Sequence, residues 1–170
     1  MTETIDSQER RDLLETLGKH RGFLCFTMRD LTDDQARQRT TVSELCLGGL
    51  LRHVSIVEQA WADFIVEGPS AIGKTDEASM DAHAEGFQMG SDSLDTLLKI
   101  YEETARRTDE LVQSLPSLDA AQPLPEAPWF PAGTTWSARR ALLHIIAETS
   151  QHAGHADIIR ESLDGAKTMG

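Results

Sequence analysis

Cysteine is scarce: Cys25 and Cys46 are the only two in 170 residues, too few for a disulfide framework. Basic residues are in deficit, with 16 lysines and arginines against 28 acids and a formal net charge of −12. A field of that sign repels phosphate backbones and argues against nucleic-acid binding. No apolar run approaches the roughly 20 residues that span a bilayer. The polar, acidic start Met1-Thr2-Glu3-Thr4-Ile5-Asp6 lacks the features of a signal peptide. These absences together predict a cytoplasmic chain without membrane contact, in which a free cysteine is a small buried hydrophobe. Aromatics make up 5 % of the chain and β-branched runs are few, so strands lack their usual material.

What is present favours helix: alanine, leucine, glutamate, arginine and glutamine abound. The length suits a single domain over residues 1–170. Four long periodic patterns stand out. The first runs from Ser7 to Leu31, with Leu13, Leu14, Leu17, Leu24 and Met28 near the helical period and Ser7 as N-cap. Gly18 and Gly22 either weaken it or mark close packing. A short helical turn follows at Thr32–Ala36. The second pattern, Ser43 to Val66, aligns Leu50, His53, Val54, Val57, Trp61 and Ile65 and stops at Gly68-Pro69. Gly68 to Gly90 reads as a long crossover with a short helix over Ser79–Gln88. The third pattern spans Ser91 to Leu115 and ends at Pro116. A proline-rich loop then carries Trp129, Phe130 and Trp136. The fourth pattern runs from an N-cap at Ser137 to Leu163, with Gly165 as its stop. No strand pattern stands out. Four long helices with one long crossover connection predict an all-α four-helix bundle.

The last helix carries the chemistry. His144, Glu148, His152 and His155 recur at spacings that share one helix face. An acid and three imidazoles on one stripe need a partner, and a divalent metal satisfies most of them at once. Glu148 and His152 are i, i+4 neighbours, within reach of one ion. A third ligand must come from a facing helix, and His53, flanked by Leu50, Val54 and Val57, is the natural candidate. Two imidazoles and one carboxylate with a position left for water is the pattern of a catalytic zinc site. Nickel or iron(II) suits the same donors. The plain alternative is one or two core histidines satisfied by hydrogen bonds. His144 and His155 are candidate catalytic groups, as acid–base partners or as residues that orient a ligand. His144 also stands as an alternative ligand to Glu148. His20 and His83 fall outside the cluster and are expected on the surface. Asp157 and Arg160 read as a surface or inter-subunit ion pair. Trp129, Phe130 and Trp136 are placed either as a roof over the open metal position or as a core tether.

The sequence resembles the DinB-like superfamily of metal-binding four-helix bundles, and within it the actinobacterial DUF664 branch. The resemblance rests on Gly49-Leu50-Leu51-Arg52-His53-Val54 with Val57-Glu58-Gln59-Ala60-Trp61. It rests equally on Trp136-Ser137-Ala138-Arg139, on Leu143-His144, and on the run Glu148 to Glu161 followed by Asp164-Gly165. Many members of that superfamily place an H-x-x-x-H pair on the last helix, whereas here Glu148 fills the first position. The departure is similar to mycothiol-dependent maleylpyruvate isomerase, whose zinc is held by His, Glu and His. By that resemblance the ligands are His53, Glu148 and His152. It also implies a thiol S-transferase that uses mycothiol or bacillithiol against an electrophilic small molecule, and a homodimer. The alternative expectation is a non-catalytic, stress-related metal-binding bundle.

Overall fold

The computed structural model describes residues 2–72 and 87–168. Its helices are α1 (Thr2–Thr27), α2 (Asp33–Arg37), α3 (Leu47–Glu67), α4 (Leu94–Ser114) and α5 (Ala138–Asp164). A 3₁₀ turn, Gly68–Ala71, extends α3. The four long helices form the predicted bundle. α5 packs on α1 and α3, and α3 also packs on α4.

Cross-helix contacts fix the directions. Arg139 pairs with Glu9 and Arg160 reaches the Thr27 carbonyl, so α1 and α5 run parallel. Ser55 meets Thr104 and Asp63 meets Arg107, so α3 and α4 also run parallel. Two parallel neighbours consecutive in the chain need a long return, which explains the connection after Gly68. The short helix predicted over Ser79–Gln88 falls largely outside the described residues; Phe87 and Gln88 lie in a turn.

Several boundaries move for local reasons. α1 starts before Ser7 and ends at Thr27, and Asp30 then adopts a left-handed φ of 57° that no helix continues through. Thr32 caps α2 in a reciprocal capping box with Gln35. α3 begins at Leu47 rather than near Ser43, because Cys46 is its N-cap and its Sγ accepts from the Gly49 amide at 3.4 Å. Ser93 caps α4 and Ser137 caps α5 through the amides of Thr96 and Arg140. Gly165 closes α5 in the left-handed region at φ 79°.

The absence of strands was an overstatement. Ala121–Pro123 (β1) and Thr135–Ser137 (β2) pair antiparallel, with Gln122 opposite Trp136. The strands are three residues long, too short for a periodic signal. They still do a job: Ala120 and Leu118 carbonyls accept the first free amides of α5, from Ala138 and Arg139.

Among the described residues the interior gathers into two apolar clusters. One gathers Leu24, Met28, Leu47, Leu50, Val54, Leu97 and Ile159. The other gathers Leu17, Trp61, Phe64, Val112, Leu142 and Ile145. Where the two clusters meet, every long helix contributes buried polar residues: Arg21 on α1, His53, Ser55 and Glu58 on α3, Thr104 and Thr108 on α4, and Thr149 and His152 on α5. A polar layer therefore crosses the middle of the bundle, and the cluster singled out in the sequence lies in it.

Candidate metal centre

α3 and α5 face each other antiparallel, which brings His53 level with the Glu148–His152 turn. One ligand atom from each of these three residues lies within 4.8 Å of the other two. Glu148 Oε2 is 3.8 Å from His53 Nε2 and 3.5 Å from His152 Nε2. Donors about 2.1 Å from one tetrahedral ion lie roughly 3.4 Å apart. The observed spacings meet that requirement after a small contraction, so the three side chains fit a single ion. The neighbouring imidazoles, His152 first and His53 second, hold the Glu148 carboxyl well below the usual carboxylate range. Its carboxylate is thus ionised across the physiological range, the form a metal requires.

The triad forms one side of a cleft of about 310 Å³ lined also by Val57, Trp61, Phe87, His144 and Gln151. Phe87 was not anticipated. Its ring stacks on His53 with centroids 3.9 Å apart and 18° between planes. The reason lies one turn earlier on α3. A Cβ on Gly49 would sit 1.8 Å from the Phe87 carbonyl oxygen, and one on Gly48 would sit 2.4 Å from Met89 Sδ. Only two glycines let the returning chain cross α3 this closely. Arg52 fastens the crossing by donating to the Gln88 carbonyl at 3.2 Å. The Gly48-Gly49 pair at a helix start was the available sequence signal.

A family model described as mycothiol-S-transferase matches residues 12–165. The chain belongs to the mycothiol-S-transferase family. The match spans α3, α4 and α5, α1 from residue 12 onward, and every residue of the cleft. Membership points to mycothiol S-transferase-like chemistry, in which a thiol and an electrophile react. Among solved structures, the crystal structure of a conserved protein from Enterococcus faecalis shares the fold, with a TM-score of 0.64 at 14 % identity. That similarity covers 92 % of this chain and 97 % of the other. None of the curated proteins matches.

The remaining residues of this mycothiol-S-transferase family member divide cleanly. His144 approaches the other carboxylate oxygen, Glu148 Oε1, at 3.8 Å, and it lines the cleft beside the triad. It is held edge-on by Trp61 and Trp136, and burial pushes its pKa below the usual 6.5. His155 lies behind His152, with the two Nδ1 atoms 3.4 Å apart. The proline-loop aromatics do not roof the cleft. Trp136 stacks on Trp61, Phe130 packs edge-on against Trp136, and Trp129 is 57 % exposed at the far end. The core-tether alternative describes Trp136 and Phe130.

The Asp157–Arg160 ion pair is also corrected. Arg160 is 4 % exposed; it pairs with Asp164 and donates to the Thr27 and Arg29 carbonyls. Asp157 accepts from the Thr168 amide. Both close the end of the bundle, because Arg160 is long enough to reach the orphan carbonyls that end α1. His20 is half-buried beside Phe23 rather than on the open surface, and His83 lies outside the described residues. Gly18 and Gly22 face open space, so close packing does not explain them.

Proposed function

We propose that this protein is a divalent-metal-dependent S-transferase that joins mycothiol to an electrophilic small molecule. The observation that carries the reading is three donor atoms within 4.8 Å of one another, beside an open cleft, in a member of this family. His53, Glu148 and His152 are the proposed ligands. Two imidazoles and a carboxylate suit zinc with a vacant position, and nickel or iron(II) accept the same donors. When bound, such an ion lowers the pKa of a coordinated thiol and so supplies a nucleophile at neutral pH.

The chain's own residues do the rest. Glu148 brings the negative charge that the site needs to hold a dication. His155, through its Nδ1, fixes the ring of His152 so that Nε2 faces the cleft. His144 is kept neutral by burial and stands beside the triad, where its imidazole accepts the thiol proton. Val57, Trp61 and Phe87 exclude water from that side of the cleft. No helix among the described residues is long and apolar enough to cross a membrane.

The test is conjugation of mycothiol to monochlorobimane by zinc-loaded protein. The expected result is turnover above the uncatalysed rate that is lost in the metal-free protein and in His53→Ala. Equal rates for the wild type and His53→Ala across several electrophiles contradict the proposal. The homodimer belongs to the same proposal, and sedimentation at two protein concentrations tests it.

A further inference from the structure

We infer that the electrophile accepted by this cleft is an uncharged ring, and that carboxylate-bearing electrophiles are discriminated against. The inference deepens the thiol-transfer reading and rests on it for the word electrophile. Its physical basis is the lining of the cleft. Among the described residues, no lysine or arginine lines it. Arg140 sits over the Trp136 ring at 4.1 Å, and Arg52 is turned to the Gln88 carbonyl.

The charges of the loaded site also cancel. A dication, the Glu148 carboxylate and one thiolate sum to zero, which leaves no positive charge to receive a second anion. The chain as a whole, Glu148 included, carries a net charge of −12, which opposes an approaching carboxylate. An anionic ligand must then shed water without gaining a partner, and an unpaired buried charge is the more costly outcome. A neutral ring meets matching surface in Val57, Trp61 and Phe87. Gln151, exposed and also lining the cleft, supplies a polar but uncharged group. In the reaction, the thiolate sulfur attacks the ring carbon that bears a halide. The carbon–sulfur bond forms, the carbon–halogen bond breaks, and the halide leaves with the bonding pair. The thiol proton passes by way of the His144 imidazole to the buffer.

Two matched pairs of compounds test this. Binding is read by tryptophan fluorescence quenching of zinc-loaded, mycothiol-saturated protein, with the unreactive pair 1,3-dinitrobenzene and 3,5-dinitrobenzoate. The benzoate is expected to bind about tenfold or more weakly, and added salt narrows the gap. Gln151→Arg is expected to close most of it by placing a cation at the cleft. Turnover is read with 1-chloro-2,4-dinitrobenzene and 4-chloro-3,5-dinitrobenzoate, each divided by its uncatalysed rate, with the same order expected. Equal or tighter binding of the benzoate overturns the inference, as does a gap that Gln151→Arg leaves untouched. If both chlorides turn over alike, thiol transfer stands and the charge selection fails. If neither turns over while the binding preference holds, the selection stands and thiol transfer fails.

Discussion

Glu148 is met by three imidazoles: His53 and His152 on one oxygen, His144 on the other. The grouping has a consequence for stability against acid. Burial holds the His144 pKa below its ordinary 6.5 in the folded chain, so the unfolded chain takes up the proton first. The stability linked to His144 is therefore complete above pH about 6.5 and is lost as pH falls through the folded value. Glu148 acts in the same direction at lower pH, since its carboxyl is held below the ordinary 4.5 and its contribution disappears as acid protonates it. Thermal melts of the metal-free protein from pH 8 to pH 5 should show a falling melting temperature, and His144→Gln should flatten the fall above pH 5. A slope unchanged by that substitution contradicts the assignment. The stripe itself was legible in the sequence because helical spacing is strict: residues four apart meet whatever surrounds them. Phe87 was not legible, since it lies in a connection without periodicity and reaches His53 only through a close crossing of chains.

The first turn of α3 shows how an element positions a side chain. Cys46 starts the helix, Gly48 and Gly49 admit the returning chain, and His53 follows one turn later beneath the Phe87 ring. Gly49→Ala drives a methyl against a backbone carbonyl, which neither flexes away nor rotates. It is expected to destabilise the protein by about 1–3 kcal/mol and to weaken zinc binding by disturbing the stack on His53. Gly18→Ala is the control. Its Cβ meets nothing within 4 Å in the middle of α1, so helix propensity alone applies and a gain of about 0.5–1 kcal/mol is expected. Urea denaturation of both variants checks the pair; a neutral or stabilising Gly49→Ala contradicts the crossing. The cap at Ser137 and the stop at Gly165 were readable from the sequence because their chemistry is local. The start of α3 was not, because a cysteine is an uncommon cap and Ser43 is a better one on propensity.

Across the whole molecule, the polar layer between the two apolar clusters organises both faces of the bundle. On the cleft side it carries His53, Glu148 and His152. Away from the cleft it carries Arg21, which pairs with Glu58 through two guanidinium nitrogens and with Asp109 at 2.8 Å. Glu58 is 1 % exposed and Arg21 is 7 % exposed. Removing one member of such a pair leaves the other buried and uncompensated, so Glu58→Ala is expected to cost about 3–5 kcal/mol. Chemical denaturation measures it, and a loss below about 1 kcal/mol contradicts the role. This network was open to sequence reasoning: Arg21 falls on the stripe of Leu17, Leu24 and Met28, and Glu58 on that of Val54, Trp61 and Ile65. Each is a charge on an apolar face, the same signal that singled out His53. The bundle was legible because its helices are long and periodic, whereas the three-residue strands were too short to register.

The most direct measurement is titration of the metal-free protein with cobalt(II), followed by mycothiol, read by absorption. The account predicts one cobalt per chain in an ordered site. It also predicts a sulfur-to-cobalt charge-transfer band that grows with added thiol and is absent in His53→Ala. Cobalt that binds His53→Ala as well as the wild type, or a spectrum that mycothiol leaves unchanged, contradicts it.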